Sequence, residues 1–125
     1  MLRGPKLVDL LPRSVVDATI HVMVQHVFRA RVWEHSPDDP GSWHFLTLPS
    51  ELSEDIAAEA GPREGFGSVR VEASIGSTTW RTSLFPEAAT GCFVLPVKKQ
   101  VRRAEGLHAG ATCEVTLEVT PPDRM

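Results

Sequence analysis

Arg70, Arg81 and Ser83 are the residues whose types and spacing best suit ligand binding in this sequence. A guanidinium group binds a carboxylate or a phosphate through two parallel hydrogen bonds, and a serine hydroxyl offers one more donor. The simpler interpretation is a solvated surface on which Arg81 pairs with Glu72 across two strands, an interaction worth roughly 0.2–1 kcal/mol. A paired arginine is not free to bind, so the two interpretations make different predictions for Arg81.

Lys98, Lys99, Arg102 and Arg103 form a second cationic group on the exposed side of a predicted helix, with Glu105 as the neighbouring acid. Such a run usually keeps a surface soluble, but it can also follow phosphates with a salt-dependent affinity. We therefore add Lys98, Lys99 and Arg102 to the candidate ligand-binding residues. The partner predicted for them is a small anion or another protein, and nucleic acid bound by the basic helix is the alternative.

No catalytic residue, metal site or cofactor is predicted. None of the histidines forms the i, i+4 helical pair of a zinc protease, and the two cysteines are too far apart for a Cys-x-x-Cys knuckle. The sequence has no Gly-x-Ser-x-Gly elbow, and Gly65-Phe66-Gly67 lacks the third glycine of a dinucleotide loop. A small enzyme stays open as a third function if a histidine meets a nucleophile only in three dimensions. The residues in question are His35, His44 and His108, with Ser68, Ser83 and Cys92.

Length and composition indicate one globular domain. The chain has 125 residues, 42% of them hydrophobic and 23% charged, a formal net charge of −3 and a pI near 5.9. Mild acidity argues against a general nucleic-acid binder. No apolar run is long enough to span a membrane or to serve as an export signal, so we expect a cytoplasmic protein with reduced cysteines.

The hairpin that carries the two arginines is the clearest structural prediction. Residues 68–75 and 78–85 flank Gly76-Ser77, which suits a two-residue primed turn. In the register that this turn sets, the numbers of two paired residues add to 153. Successive pairs then alternate between an apolar face and a polar face. The predicted pairs are Val69 with Leu84, Val71 with Thr82, Ala73 with Trp80, Arg70 with Ser83, and Glu72 with Arg81.

Hydrophobic periodicity predicts four further strands and two helices. The strands are predicted over residues 26–33, 43–48, 92–95 and 112–119. The first helix is predicted to begin with Ser50 as its N-cap and to end before Gly61-Pro62. The second is predicted to begin at Pro96 and to end at a left-handed Gly106.

These elements predict a mainly β fold, a small closed barrel of about six strands with two short helices. Closure would leave the strands without exposed edges. We expect a single barrel domain over residues 23–120, preceded by an N-terminal extension over residues 1–22 and followed by a tail over residues 121–125. The extension contains helical spacing interrupted by Pro12, and we interpret it as a short helix or as a translation-start overrun before Met23.

Several motifs, in order, resemble the DUF1905 family, a bacterial domain of unknown function. They are Gly41-Ser42-Trp43, Phe45–Pro49, Gly65–Val71, Ile75-Gly76, Trp80–Pro86, Leu95–Lys99 and Val101-Arg102. The resemblance spans about residues 26–120 and implies a small β-barrel related to the double-split barrels of transcription regulators and antitoxins. It implies no activity, substrate or cofactor. The expected function is a non-enzymatic binding or interaction module that forms a homodimer or acts alone.

Overall fold

The computed structural model of the chain describes residues 6–7, 24–36, 43–61 and 67–121. Within these ranges the chain forms one antiparallel sheet in the order β1-β2-β8-β5-β6-β7-β4-β3, with two helices. The strands are β1 (Lys6–Leu7), β2 (Val24–Arg31), β3 (Trp33–His35), β4 (Trp43–Thr47), β5 (Val69–Ile75), β6 (Thr78–Pro86), β7 (Phe93–Pro96) and β8 (Thr112–Val119), and the helices are α1 (Ser50–Ala60) and α2 (Lys99–Glu105).

The mainly β class with two helices is confirmed, but the closed six-stranded barrel is wrong. Seven strands and the two-residue β1 form a sheet that curls into an open half-barrel. Within the described ranges, no strand pairing joins β3 at one end of the sheet to β1 or β2 at the other. The predicted N-terminal helix and the limits placed on the N-terminal extension fall largely outside the described residues.

The strand count differs because the predicted strand over residues 26–33 is two strands that meet at Val32. β2 pairs with β8, whereas β3 pairs with β4 at the far end of the sheet. Val32 between them is buried, and its N–H and carbonyl bond to Ala111 and Gly110, both at 2.8 Å. Because β2 and β3 pair in different parts of the sheet, the chain between them must bend at Val32. This bend curls the sheet around its core.

The β5–β6 hairpin has the predicted register. Every predicted pair is present, from Val69 opposite Leu84 to Ala73 opposite Trp80. The apolar face is buried and includes Trp80, whereas Arg70 and Arg81 are exposed. Alternation along the strands is therefore sufficient to assign both faces of this hairpin.

The two helices occur where they are predicted, but their first residues differ. Pro49 is the N-cap of α1, so Ser50 is the first helical residue rather than the cap. Pro96 ends β7, and α2 begins only at Lys99. The end of α2 is as predicted, because Gly106 adopts the left-handed conformation (φ 64°, ψ 38°) and the N–H of Leu107 donates to the carbonyl of Arg102.

The concave side of the sheet holds the core, and α1 packs against it. The fully buried side chains come from both halves of the sheet, from Ile56 of α1 and from Val101 of α2. Two polar contacts fix the helix: Phe93 N–H donates to the buried Ser53 hydroxyl at 3.0 Å, and His26 Nε2 lies 2.7 Å from a carboxylate oxygen of Glu59. The largest fully buried side chains are Leu46, Leu48, Ile56, Leu84, Leu95, Leu117, Val32, Val71, Val97, Val101 and Val115.

Helix α2 is attached to the hairpin turn through Glu105. The Thr78 hydroxyl donates to the Glu105 carboxylate at 2.6 Å, and a Cβ atom on Gly76 would collide with that carboxylate. Gly76 also has a positive φ of 59°, whereas Gly91 has a similar φ of 76° with nothing near its missing Cβ. Gly91→Ala is therefore a matched control, because it carries only the conformational cost of a side chain at positive φ.

We expect Gly76→Ala to destabilise the protein by about 1 kcal/mol more than Gly91→Ala, because Glu105 must leave Thr78 to make room. Urea unfolding of the two variants measures the difference. Adding Glu105→Ala to each variant should remove it. Equal losses in the two single variants would contradict the contact between α2 and the turn.

Candidate functional site

The candidate site is a cleft of about 530 Å³ between β6 and α2. Its volume lies in the range of small-ligand pockets, roughly 300–1,000 Å³. It combines cationic, aromatic and hydroxyl side chains from β4, β6, the end of β7 and α2. The lining residues are Trp43, His44, Trp80, Arg81, Thr82, Ser83, Phe85, Pro96, Val97, Lys98, Lys99 and Arg102.

The cleft opens where β7 leaves β6. The two strands are paired only at Phe85–Val94 and Pro86–Phe93. The next bonded pair in this register would join Ser83 to Pro96, and a proline has no N–H to donate. The chain then departs from β6 and becomes helix α2. The space that a longer β7 would fill is the cleft.

Four cationic side chains line the cleft: Arg81 from β6 and Lys98, Lys99 and Arg102 from the start of α2. Within the described part of the chain, no acidic residue lines it. Arg102 is held in place because its Nε donates to the carbonyl of Val97 at 3.1 Å. The cleft therefore concentrates positive charge in a protein with a negative net charge.

Arg81 does not form the ion pair that the solvated-surface interpretation requires. Glu72 is opposite Arg81 in the hairpin. Among the residues that the structure describes, however, neither side chain has an ionic partner within 4.0 Å. The guanidinium group of Arg81 is exposed and borders the cleft. An ion pair with Glu72 therefore does not occupy the guanidinium group of Arg81.

Aromatic side chains supply the apolar part of the cleft. Trp80 is only 8% exposed, whereas Trp43 and Phe85 on the rim are 59% and 40% exposed. Trp43 stacks on Phe45 with ring centroids 6.1 Å apart, and Phe45 in turn lies 5.0 Å from Trp33. These contacts support Trp43 from below and leave its outer face available to a ligand.

Five of the six predicted binding residues line this one cleft, and Arg70 does not. Arg70 is directly opposite Ser83 in the hairpin, but it lies on β5, one strand further from α2. Sequence reasoning missed Trp43, His44 and Phe85 as cleft residues. Phe85 could have been found from alternation, because it follows Arg81 and Ser83 on the same face of the predicted strand, whereas Trp43 and His44 depend on the pairing of β4 with β7.

The enzyme alternative requires a histidine to meet a nucleophile, and His44 and Ser83 both line the cleft. His44 Nε2 lies 3.8 Å from a carboxylate oxygen of Glu34, and its Nδ1 is buried without a hydrogen-bond partner in the described residues. Within those residues no hydrogen bond joins His44 to Ser83. His35 and His108 are exposed elsewhere, and His108 Nδ1 lies 3.0 Å from the carbonyl of Ala109.

Neither cysteine lines the cleft. Cys92 and Cys113 are both free and buried. In the described ranges, no three His, Cys, Asp or Glu side chains come close enough to hold a metal ion. None of the helices described is long and apolar enough to cross a membrane.

The fold and the site together define a β half-barrel domain with a cationic, aromatic-rimmed cleft beside its second helix. The family model DUF1905, described as a domain of unknown function, matches residues 28–117. The chain belongs to this family, as the motifs predicted. No curated protein matches the sequence.

We expect Cys113 to react slowly with alkylating reagents in the folded protein. Burial raises the pKa of its thiol above the ordinary value of 9.0, and nearby Arg29 offsets this only in part. Because the thiolate is the reactive form, iodoacetamide at about pH 8 should label Cys113 more slowly in the native protein than in urea. Mass spectrometry of a Cys92→Ala variant, in which Cys113 is the remaining cysteine, measures both rates. Fast labelling of the native protein would contradict the burial.

The same pKa shift has a consequence for stability. A thiol whose pKa is raised by folding stabilises the protein fully below its unfolded pKa, and this contribution declines as the pH rises through the folded value. The free energy of unfolding, measured with urea at about pH 7 and about pH 10, should therefore fall more between the two pH values for the natural chain than for Cys113→Ala.

Proposed function

We propose that the domain is a non-enzymatic binding module that takes an anionic ligand in the cleft between β6 and α2. The observation that carries the proposal is the set of four cations, Arg81, Lys98, Lys99 and Arg102, around one cavity with no acidic lining residue in the described chain. Hydrogen bonds between charged partners contribute about 1.5–3 kcal/mol each, so a few of them give useful affinity.

The types of residue in the cleft assign separate roles. Arg81 presents a planar fork that suits a carboxylate or a phosphate, and Ser83 two residues away supplies a hydroxyl group on the same face. Lys98 and Lys99 add charge without fixed geometry. Trp43 and Phe85 give the apolar part of a ligand a surface to pack against. Shape and charge both favour an organic anion over a bare ion.

Anion binding should raise the thermal stability of the protein. A ligand present at 100 times its Kd stabilises the folded state by about 2.7 kcal/mol. We expect pyrophosphate and citrate to raise Tm beyond sodium chloride of equal ionic strength, and to change tryptophan fluorescence because Trp43 and Trp80 line the cleft. Arg81→Gln should raise the anion concentration that half-saturates each response about tenfold.

Arg70→Gln is the matched control for this experiment. It removes the same charge from the same hairpin, at an exposed position that does not line the cleft. Its response to both anions should equal that of the natural chain. Equal losses in the two variants, or stabilisation no greater than with sodium chloride, would refute the proposed site.

Nucleic-acid binding is the second candidate, and the exposed ring of Trp43 beside three cations of α2 and its N-cap favours it. Proteins that bind single strands combine an aromatic stacking surface with a cationic groove. The implied kinship to the double-split barrels of transcription regulators adds an analogy of architecture alone.

If this second candidate is correct, a labelled single-stranded oligonucleotide should bind at about 50 mM salt and weaken steeply by about 200 mM. Trp43→Leu should lower the affinity about tenfold, whereas the Lys98→Gln, Lys99→Gln double variant should also flatten the salt dependence. Gel retardation at several salt concentrations measures both effects. The absence of retardation at the lowest salt concentration would exclude this function.

A further inference from the structure

The wall of the cleft that β6 forms is an open strand edge. β6 runs from Thr78 to Pro86 and pairs with β5 along most of its length, but with β7 only at Phe85 and Pro86. From Thr79 to Thr82, the side of β6 that faces α2 has no strand partner in the described chain, whereas the register sets Ser83 opposite Pro96 of β7. An open edge of this kind is a template for another strand.

Hydrogen bonds on the β5 side show which backbone groups point into the cleft. The N–H of Thr120 donates to the carbonyl of Arg70 at 2.8 Å, so the backbone groups of Arg70 face β8. Those of Val71 therefore face β6 and meet Thr82, since successive residues of a strand point their backbone groups to opposite sides. It follows that the N–H and carbonyl groups of Thr79 and Arg81 face the cleft, whereas those of Ser83 face Pro96 of β7.

Hydrogen bonds on the β7 side lead to the same assignment. The N–H of Leu48 donates to Phe93, and the N–H of Val97 donates to His44, so Phe93 and Val97 face β4. Val94 and Pro96 between them face β6. Pro96 is the residue that the register sets opposite Ser83, and it has no N–H. The proline at this position therefore ends the pairing of β7 with β6.

Side chains on the two faces of the edge differ in a way that selects a partner. Arg81 and Ser83 point to the outer face, and Lys98, Lys99 and Arg102 stand across the cleft. Trp80 points to the inner, apolar face. A strand added here would alternate its side chains between these two environments.

We propose that the cleft binds an extended acidic segment of a partner protein, which adds to the β6 edge as a strand. The proposal rests on the proposed function, because it makes this segment the anionic ligand. Peptide residues opposite Thr79 and Arg81 exchange backbone hydrogen bonds with them and carry the acidic side chains. The residue between them faces the apolar side, so the preferred sequence alternates acidic and apolar residues.

Charge complementarity favours this occupant over a second copy of the chain. A second β6 edge would bring another Arg81 and another cationic α2 close to the first, and like charges in such an interface are unfavourable. An acidic strand meets the same cations with attraction. A segment of about five residues, at roughly 3.4 Å per residue, covers the open edge from Thr79 to Thr82.

A five-residue peptide that alternates glutamate and valine, blocked at both ends and labelled with fluorescein, tests the proposal. N-methylation of the two glutamates opposite Thr79 and Arg81 removes the N–H groups that face β6 and should weaken binding about tenfold or more. The control peptide carries the same number of methyl groups on its valines, whose N–H groups face away from β6, and should bind within about twofold of the parent. Fluorescence anisotropy at low salt measures all three peptides.

Protein variants complete the experiment. Arg81→Gln should weaken the parent peptide about tenfold, whereas Arg70→Gln should leave it within about twofold. If both methylated peptides bind alike while Arg81→Gln still weakens pyrophosphate, the anion site is real and strand addition is wrong. If neither the peptide nor pyrophosphate binds, both proposals fail. A dimer in sedimentation whose Thr79 and Arg81 amides resist hydrogen exchange without peptide would assign the edge to a second copy and overturn the inference.

Discussion

The cleft depends on one missing hydrogen-bond donor, the backbone nitrogen of Pro96. Antiparallel strands stay together as long as each residue that faces its neighbour can exchange bonds with it. β6 and β7 do so at Phe85 and Val94, but the register then brings Ser83 opposite a proline. The pairing of β6 with β7 ends at this point, and after Lys98 the chain turns into α2. A cavity with a strand edge on one side and a helix on the other is the direct result.

The far end of the cleft is fixed by a different contact. A seven-residue helix such as α2 is not stable alone, so its position must come from tertiary contacts. Val101 anchors it in the core, and Glu105 accepts the hydroxyl hydrogen of Thr78 beside the hairpin turn. This contact also has an electrostatic effect. The acidic side chain of α2 is used at the turn, so it does not neutralise the lysines and Arg102 at the other end of the helix.

Local patterns in the sequence were sufficient for the hairpin and for most of the cationic residues. Gly76-Ser77 determines the register, and the register assigns Arg81 and Ser83 to one face without any knowledge of the rest of the fold. The bend at Val32 could not be found in this way. The residues on both sides of Val32 alternate as one strand would, and only their pairing with β8 and β4 at opposite ends of the sheet separates them. The same long-range pairing brings Trp43 and His44 to the cleft, which explains why they were missed.

The distribution of charge explains how such an edge can exist on a protein that must not aggregate. Exposed edges usually carry lysine or proline, which discourage pairing with other strands. Pro96, Lys98 and Lys99 provide this protection beside β6, and Arg81 adds a charge to the edge itself. The same charges repel another copy of this edge and attract an acidic segment. The side chains that prevent indiscriminate pairing are therefore the ones that define which strand would be accepted, so protection and specificity come from a single set of residues.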